Sequence, residues 1–248
     1  SGNNKNSNGM NKIKTVIVED SRLARNEIKE LLKQHPELEL VGEAENVDEG
    51  FELIKSTKPD LLLLDINMPE KDGFELLEML DDVPITVFTT AFDEYAIKSF
   101  EYNALDYLLK PINDKRFAQA VDKVKIKLEG NSDETTSNTE RLTESSQIFI
   151  KDGEKCWLVR IGDILLFEIV GNYSRVYFQD QKPMLYKSLN QVEEKLPEQN
   201  FFRVNRQQII NMNHIQNVVP WFNGKLKLTI MVKKLRCLEG NLIYSKIE

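Results

Sequence analysis

A chain of 248 residues, 41% hydrophobic and 29% charged, suits two globular domains, and no apolar run approaches the roughly 20 residues that a bilayer-spanning helix needs. Two isolated histidines (His35, His214) and two distant cysteines (Cys156, Cys237) argue against zinc chemistry, histidine-based catalysis and a disulfide framework. The net charge of -7 is uneven: residues 1–145 carry 18 Lys+Arg against 30 Asp+Glu, giving -12, and residues 146–248 carry 15 against 10, giving +5. Such asymmetry suggests an anionic partner for the C-terminal half. With no secretory h-region, the expected location is the cytoplasm.

Residues 1–11 read as a tag remnant and disordered N-terminus. Lys14–Val18 is a strand ending at Glu19-Asp20. Ser21 is a plausible N-cap for a helix through Gln34, with Leu23, Ile28, Leu31 and Leu32 inward. Leu38–Val41 is a short strand, and Asn46 or Asp48 caps a helix carrying Phe51, Leu53 and Ile54. Leu61–Leu64 is too short for a helix and reads as a strand buried on both faces, as in parallel sheets. Asp65 ends it, and an ionised carboxylate there needs hydration, a partner or a metal. A helix over Gly73–Leu80, a strand over Pro84–Phe88 and a helix over Glu94–Tyr102 follow. The strand Asp106–Leu109 and the helix Lys115–Leu128 complete the pattern. Alternating strands and helices predict βαβ units around a five-stranded parallel, doubly wound sheet. That geometry brings Glu19, Asp20, Asp65, Thr90 and Lys110 to one edge, where gathered carboxylates call for a hard divalent cation.

Residues 129–145 read as a flexible linker. Beyond it, short strands (Phe149–Ile150, Cys156–Val159, Ile164–Ile169, Arg175–Phe178, Met184–Tyr186, Ile215–Val219 and Lys225–Ile230) and one helix, Ser188–Leu196, predict a mainly-β domain.

Residues 12–128 resemble the receiver domain of two-component response regulators, whose fold is flavodoxin-like. The resemblance rests on Glu19-Asp20, Asp65 with Met68-Pro69 and Asp72-Gly73, Thr90-Ala91, Tyr107 and Lys110-Pro111. It implies that Asp65 accepts a phosphoryl group from a sensor histidine kinase. It also implies that Asp20, Asp65 and the Asn67 carbonyl bind Mg²⁺ with Glu19 assisting. Thr90 and Lys110 would grip the phosphoryl oxygens, Tyr107 would be the switch aromatic, and Lys110-Pro111 would be cis. Phosphorylation would favour a homodimer through the face of residues 94–128.

Residues 146–248 resemble the LytTR-type DNA-binding domain, on Ile164–Tyr173, Ser188-Leu189, Phe201–Arg206, Ile209-Ile210-Asn211 and His214-Ile215. The resemblance implies loops entering the grooves of double-stranded promoter DNA, with Asn172, Ser174 and Arg175 on one loop and Asn205 with Arg206 on another. Arg203 is a further candidate, although a surface ion pair is the commoner fate of an arginine. Arg206 and Asn205 sit in a polar patch between apolar segments and carry side chains suited to guanine and adenine edges. The whole reads as a phosphorylation-controlled transcription factor and not an enzyme. A receiver feeding an RNA- or protein-binding output is the alternative. A phosphoryl-transfer enzyme is disfavoured, since the chain lacks a phosphate-cradling glycine-rich loop.

The resemblance weakens after Ile230, where relatives end in a Val-Ser-Arg-type segment and a short helix. Shifting the reading frame near Ile230 permits such an ending, so the tail is either out of frame or unusual but genuine, and sequencing the coding DNA decides between the two.

Overall fold

Leu61–Leu64 lies at the centre of the first of two units into which the chain divides, one over most of residues 1–132 and the other over 133–248. The computed structural model describes residues 11–91, 100–102, 106–130, 141–230 and 242–245. The expected N-terminal tag, most of the helix over Glu94–Tyr102, the core of the linker and most of the tail lie outside the described residues.

In the first unit the strands β1 (Ile13–Val18), β2 (Leu38–Ala44), β3 (Leu61–Asp65), β4 (Ile85–Thr90) and β6 (Asp106–Leu109) form one sheet in the order β2-β1-β3-β4-β6. Every pairing is parallel. The helices are α1 (Arg22–Lys33), α2 (Val47–Thr57), α3 (Gly73–Met79) and α4 (Asp114–Glu129). All five residues of β3 are buried. Leu61 and Leu63 pack with Ile28 and Leu31 of α1 and with Phe117, Val121 and Val124 of α4. Leu62 and Leu64 are equally buried, so helices shield both faces and the continuous apolar run is explained.

The caps follow the expected chemistry. Ser21, Asn46 and Asp72 each accept from a backbone N–H in the first turn of α1, α2 and α3, and Asp72 with Glu75 forms a capping box. Leu23 corrects the expectation, being 70% exposed. At about 100° per residue it lies roughly 140° from Ile28, off the stripe. Arg25 takes that inward position and is buried.

The second unit is mainly β. Its strands are β7 (Gln147–Asp152), β8 (Lys155–Arg160), β9 (Leu166–Val170), β10 (Tyr173–Tyr177), β11 (Met184–Leu185), β12 (Phe201–Asn205), β13 (Gln208–Asn211), β14 (Ile215–Pro220), β15 (Lys225–Ile230) and β16 (Leu242–Ser245), with one helix, α5 (Leu189–Lys195). They form sheets ordered β11-β10-β9-β13-β12, β14-β15-β16 and, with β5 (Phe100–Tyr102), β5-β8-β7. β5 runs parallel to β8 where the end of a helix was expected. The core gathers Trp157, Phe167, Phe178, Val192 and Phe201.

The hairpin β12–β13 is not among the strands expected from the sequence. Its turn, Arg206-Gln207, lacks the glycine or asparagine that marks a hairpin, and neither residue has a positive φ. Residues 141–145, expected in the linker, are tied to this unit. Leu142 N–H donates to the Lys195 carbonyl at 2.8 Å, and the Arg141 guanidinium to the carbonyls of Glu193 and Leu196, both at 3.0 Å. Leu142 also packs against the core.

Candidate functional site

The carboxyl ends of the parallel strands build the first site. Glu19 and Asp20 follow β1, Asp65 ends β3, Thr90 ends β4 and Lys110 follows β6. A carboxylate oxygen from each of Glu19, Asp20 and Asp65 lies within 4.8 Å of the others. Glu19 and Asp65 are buried and Asp20 is exposed, so the cluster opens to solvent on one side. Three oxygen donors at that spacing suit a hard divalent cation.

Lys110 reaches in from the far strand. Its ammonium pairs with Glu19 and stands 3.6 Å from Asp65 Oδ2. Asp65 Oδ1 accepts from the Asn67 N–H at 3.2 Å. Burial first, and then the Glu19 carboxylate, push the Asp65 carboxyl up to about 7, against the pull of Lys110 and the Asn67 N–H. At Asp65, burial and the neighbouring Glu19 carboxylate outweigh the single lysine. The Lys110-Pro111 bond is cis. Gly73 is a steric necessity: a Cβ there would lie 2.5 Å from the Asp65 carbonyl oxygen.

Thr90 is buried at its strand end. Tyr107, one strand over, stacks on Phe88 with ring centroids 5.5 Å apart and is half-buried. Next to it Asp106 is held by Arg116 and Lys123. Burial raises the Asp106 carboxyl, but the hydrogen bonds from those cations outweigh it and leave the pKa below the usual carboxylate range.

Sequence reasoning missed Arg25. Its buried guanidinium donates from Nη1 to the carbonyls of Glu19 at 2.7 Å and Asp20 at 3.2 Å, and from Nη2 to Glu45 Oε1 at 2.8 Å. It thus clamps the backbone that carries the acidic pair. The available signal was an arginine in register with Ile28 and Leu32 on the apolar stripe, where a cation needs partners.

In the second unit the candidate nucleic-acid contacts separate. Asn172 is exposed in the turn between β9 and β10. Ser174 and Arg175, expected on that loop, instead lie on β10. Ser174 is fully buried, and its hydroxyl donates to the Lys187 carbonyl at 2.9 Å. Strand alternation explains this, since Ser174 and Val176 share the inward face. Arg175 is half-buried, with Nη2 3.7 Å from the Met184 sulfur.

Arg203 is engaged inward. Nη1 contacts Asn190 Oδ1 at 2.6 Å and Glu193 Oε2 at 2.7 Å, while Nη2 donates to the Arg206 carbonyl at 2.9 Å. It pins a turn whose type does not by itself match the strand twist. That pinning leaves Arg206 and Gln207 exposed at the tip, flanked by Asn205 and Gln208. Residues 199–238 hold seven Lys/Arg and no Asp or Glu, a stretch of sequence suited to a polyanion.

Comparison with known proteins agrees in both halves. Residues 15–122 match the family described as response regulator receiver domain, and residues 154–237 match the LytTr DNA-binding domain. The second match runs past Ile230, where the reading frame was expected to change. The sensory transduction protein LytT of Enterococcus faecalis is 36% identical over 218 residues, covering 87% of this chain and 89% of that protein. The sensory transduction protein LytR of Staphylococcus saprophyticus is 34% identical over 242 residues, covering 90% and 93%. The transcriptional regulatory protein LytR of Staphylococcus aureus is 32% identical over 216 residues, covering 85% and 88%.

Proposed function

This chain belongs to the LytT/LytR family of response regulators, a receiver domain joined to a LytTR DNA-binding domain, and we propose that Asp65 accepts a phosphoryl group that sets its affinity for promoter DNA. The observation that carries this is the convergence of Glu19, Asp20, Asp65 and Lys110 at one sheet edge. The donor is a sensor histidine kinase, and the protein acts in the cytoplasm. Asp20 and Asp65, with Glu19 assisting and the Asn67 carbonyl as a further ligand, would hold Mg²⁺, which would supply charge neutralisation for the incoming phosphoryl group. Asp65 is a weak nucleophile, and its fixed place beside Lys110 and the cation site does the aligning. The phosphorylated carboxylate brings new acceptor oxygens, which Thr90 and Lys110 meet, and Tyr107 follows. Selecting bound DNA from a random pool, with and without acetyl phosphate, tests the reading. Enrichment of no sequence, or equal binding of RNA at matched salt, would count against it.

The acidic cluster gives a pH dependence. The folded Asp65 carboxyl, at about 7, holds a proton that the unfolded chain releases near 4. Metal-free stability should therefore fall as pH rises from about 4 to 7 and level off above, and Mg²⁺ should restore it. Below pH 7 the cation competes with that proton, so its affinity should weaken about tenfold per pH unit. Calorimetric Mg²⁺ titrations at pH 6 and 8 check this, and equal affinities would contradict it.

Phosphorylation should also favour a homodimer through the face of β6 and α4, where Leu109 and Ile126 are exposed. Two copies would then meet two half-sites about one helical turn apart. Light scattering with and without a phosphoryl mimic reads the mass, and an unchanged mass would contradict the dimer.

On the DNA side, Arg206→Ala should weaken binding to the selected sequence by about 1–3 kcal/mol if Arg206 contacts a base. Uniform loss on all sequences would assign it to a phosphate.

A further inference from the structure

The hairpin that joins β14 to β15 carries two exposed aromatic rings, with Trp221 37% exposed and Phe222 75%. The Trp221 N–H donates to the Lys225 carbonyl at 2.7 Å and closes the loop. Asn223 (φ 58°) and Gly224 (φ 71°) take the left-handed conformation that so tight a reversal needs. The tip is thus held by its own backbone. The Trp221 ring lies under the Lys227 ammonium, 4.6 Å from the ring centroid, and meets the Phe222 ring at 5.2 Å and 71°. Trp221 is the support, and Phe222 is the free point.

Lys225 and Lys227 alternate onto the Trp221 side of β15. The stretch 199–238 has no Asp or Glu to set against them. The Asn211 N–H meets the Leu165 carbonyl at 2.9 Å and the His214 ring the Gly162 carbonyl at 2.8 Å. β14 therefore starts where β9 starts, at the end of the domain opposite the Asn172 and Arg206 turns. Its six residues carry the hairpin about 20 Å from that end.

An exposed ring flanked by ammonium groups fits a partner that is anionic outside and apolar within, as a duplex is with its phosphates and stacked bases. Phe222 has no donor or acceptor, so it reads no base edge by hydrogen bonding. In a duplex its ring gains by entering the stack, which apolar wedges do from the minor groove, kinking the DNA. We infer that the Trp221–Phe222 hairpin is a DNA-bending wedge. Phe222 enters a base step from the minor groove, Trp221 backs it, and Lys225 and Lys227 hold the flanking phosphates. The inference rests on the DNA-binding reading of this domain. The step entered should be TA or CA/TG, which unstack most readily.

The experiment uses the full chain with acetyl phosphate and Mg²⁺ on DNA selected from a random pool. Energy transfer between the labelled ends of the duplex reads the bend, and 2-aminopurine moved through the site reads unstacking. Wild type should kink the DNA by about 20–90° and brighten 2-aminopurine at one step. Phe222→Ala, at a position exposed enough to leave the fold intact, should bind at least about fivefold more weakly and leave the DNA straighter. Phe222→Leu, which keeps an apolar wedge, should restore the bend. Lys225→Gln combined with Lys227→Gln should lower the log–log salt slope by about 2. An unbent duplex with wild type, or the same bend with Phe222→Ala, would overturn the wedge. So would a difference between wild type and Phe222→Ala that disappears when uracil replaces the thymines, since Phe222 would then touch a thymine methyl in the major groove. Wild-type DNA binding by Phe222→Ala together with a lower mass in light scattering would assign the hairpin to a second copy of the chain and overturn it as well. A pool from which wild type enriches nothing would overturn the DNA-binding reading and this inference with it.

Discussion

Asp65→Ala is expected to reduce labelling by acetyl phosphate in Mg²⁺ to background while the receiver stays folded. Among the described residues Asp65 is the carboxylate that sits both within 3.6 Å of the Lys110 ammonium and in the three-membered acidic cluster while ending a central strand. Asp20 is exposed, and Glu19 is engaged by Lys110 and by the Ser21 N–H at 3.2 Å. Neither replaces Asp65 at that position. The isosteric Asp65→Asn should behave the same way in labelling. It should also be more stable than wild type without metal at pH 7 and above, by about 1–2 kcal/mol, because a buried carboxylate crowded by Glu19 is gone. That advantage should shrink as pH falls below 7 and vanish only well below pH 4, where the wild-type carboxyl is protonated in both the folded and the unfolded state. Undiminished labelling of either variant would move the acceptor elsewhere.

Arg25→Ala should be the most damaging change outside the acceptor itself. It removes the donor to the Glu19 and Asp20 carbonyls and leaves Glu45 without its partner. Losing a buried, multiply bonded cation of this kind costs about 3 kcal/mol. Destabilisation alone would not implicate the site, so the second readout is Mg²⁺ affinity measured well below the melting temperature. It should drop because the backbone bearing Glu19 and Asp20 is no longer clamped. Arg25→Lys should recover only part of either loss, since one ammonium cannot span both carbonyls and Glu45. Wild-type Mg²⁺ affinity in a folded Arg25→Ala protein would reduce Arg25 to a purely structural part.

What the sequence reveals follows from how local each signal is. Leu61–Leu64 is legible because burial on both faces leaves a continuous apolar run, and placing that strand carries Asp65 to the sheet edge with it. The caps at Ser21 and Asn46 are legible for the same reason, as their chemistry involves residues three apart. Arg25 and Glu168 are not, because their partners lie far along the chain: Glu45 is 20 residues from Arg25, and Gln208 is 40 from Glu168. The family resemblance implies a loop position for Ser174, yet strand alternation turns its side chain inward just beyond the Gly171-Asn172 turn. The β12–β13 hairpin escaped because side-chain bonds from Arg203 and Asn205, and not a turn signature, hold its tip.

The most direct test of a phosphoryl switch at Asp65 is the affinity of the full chain for its selected DNA, measured by fluorescence anisotropy in Mg²⁺ with and without acetyl phosphate, for wild type and Asp65→Asn in parallel. Wild type should bind about 5- to 150-fold more tightly with the phosphodonor, the usual range of coupling between two sites, and Asp65→Asn should not respond. Equal wild-type affinity in both conditions, or an equal response from Asp65→Asn, would contradict it.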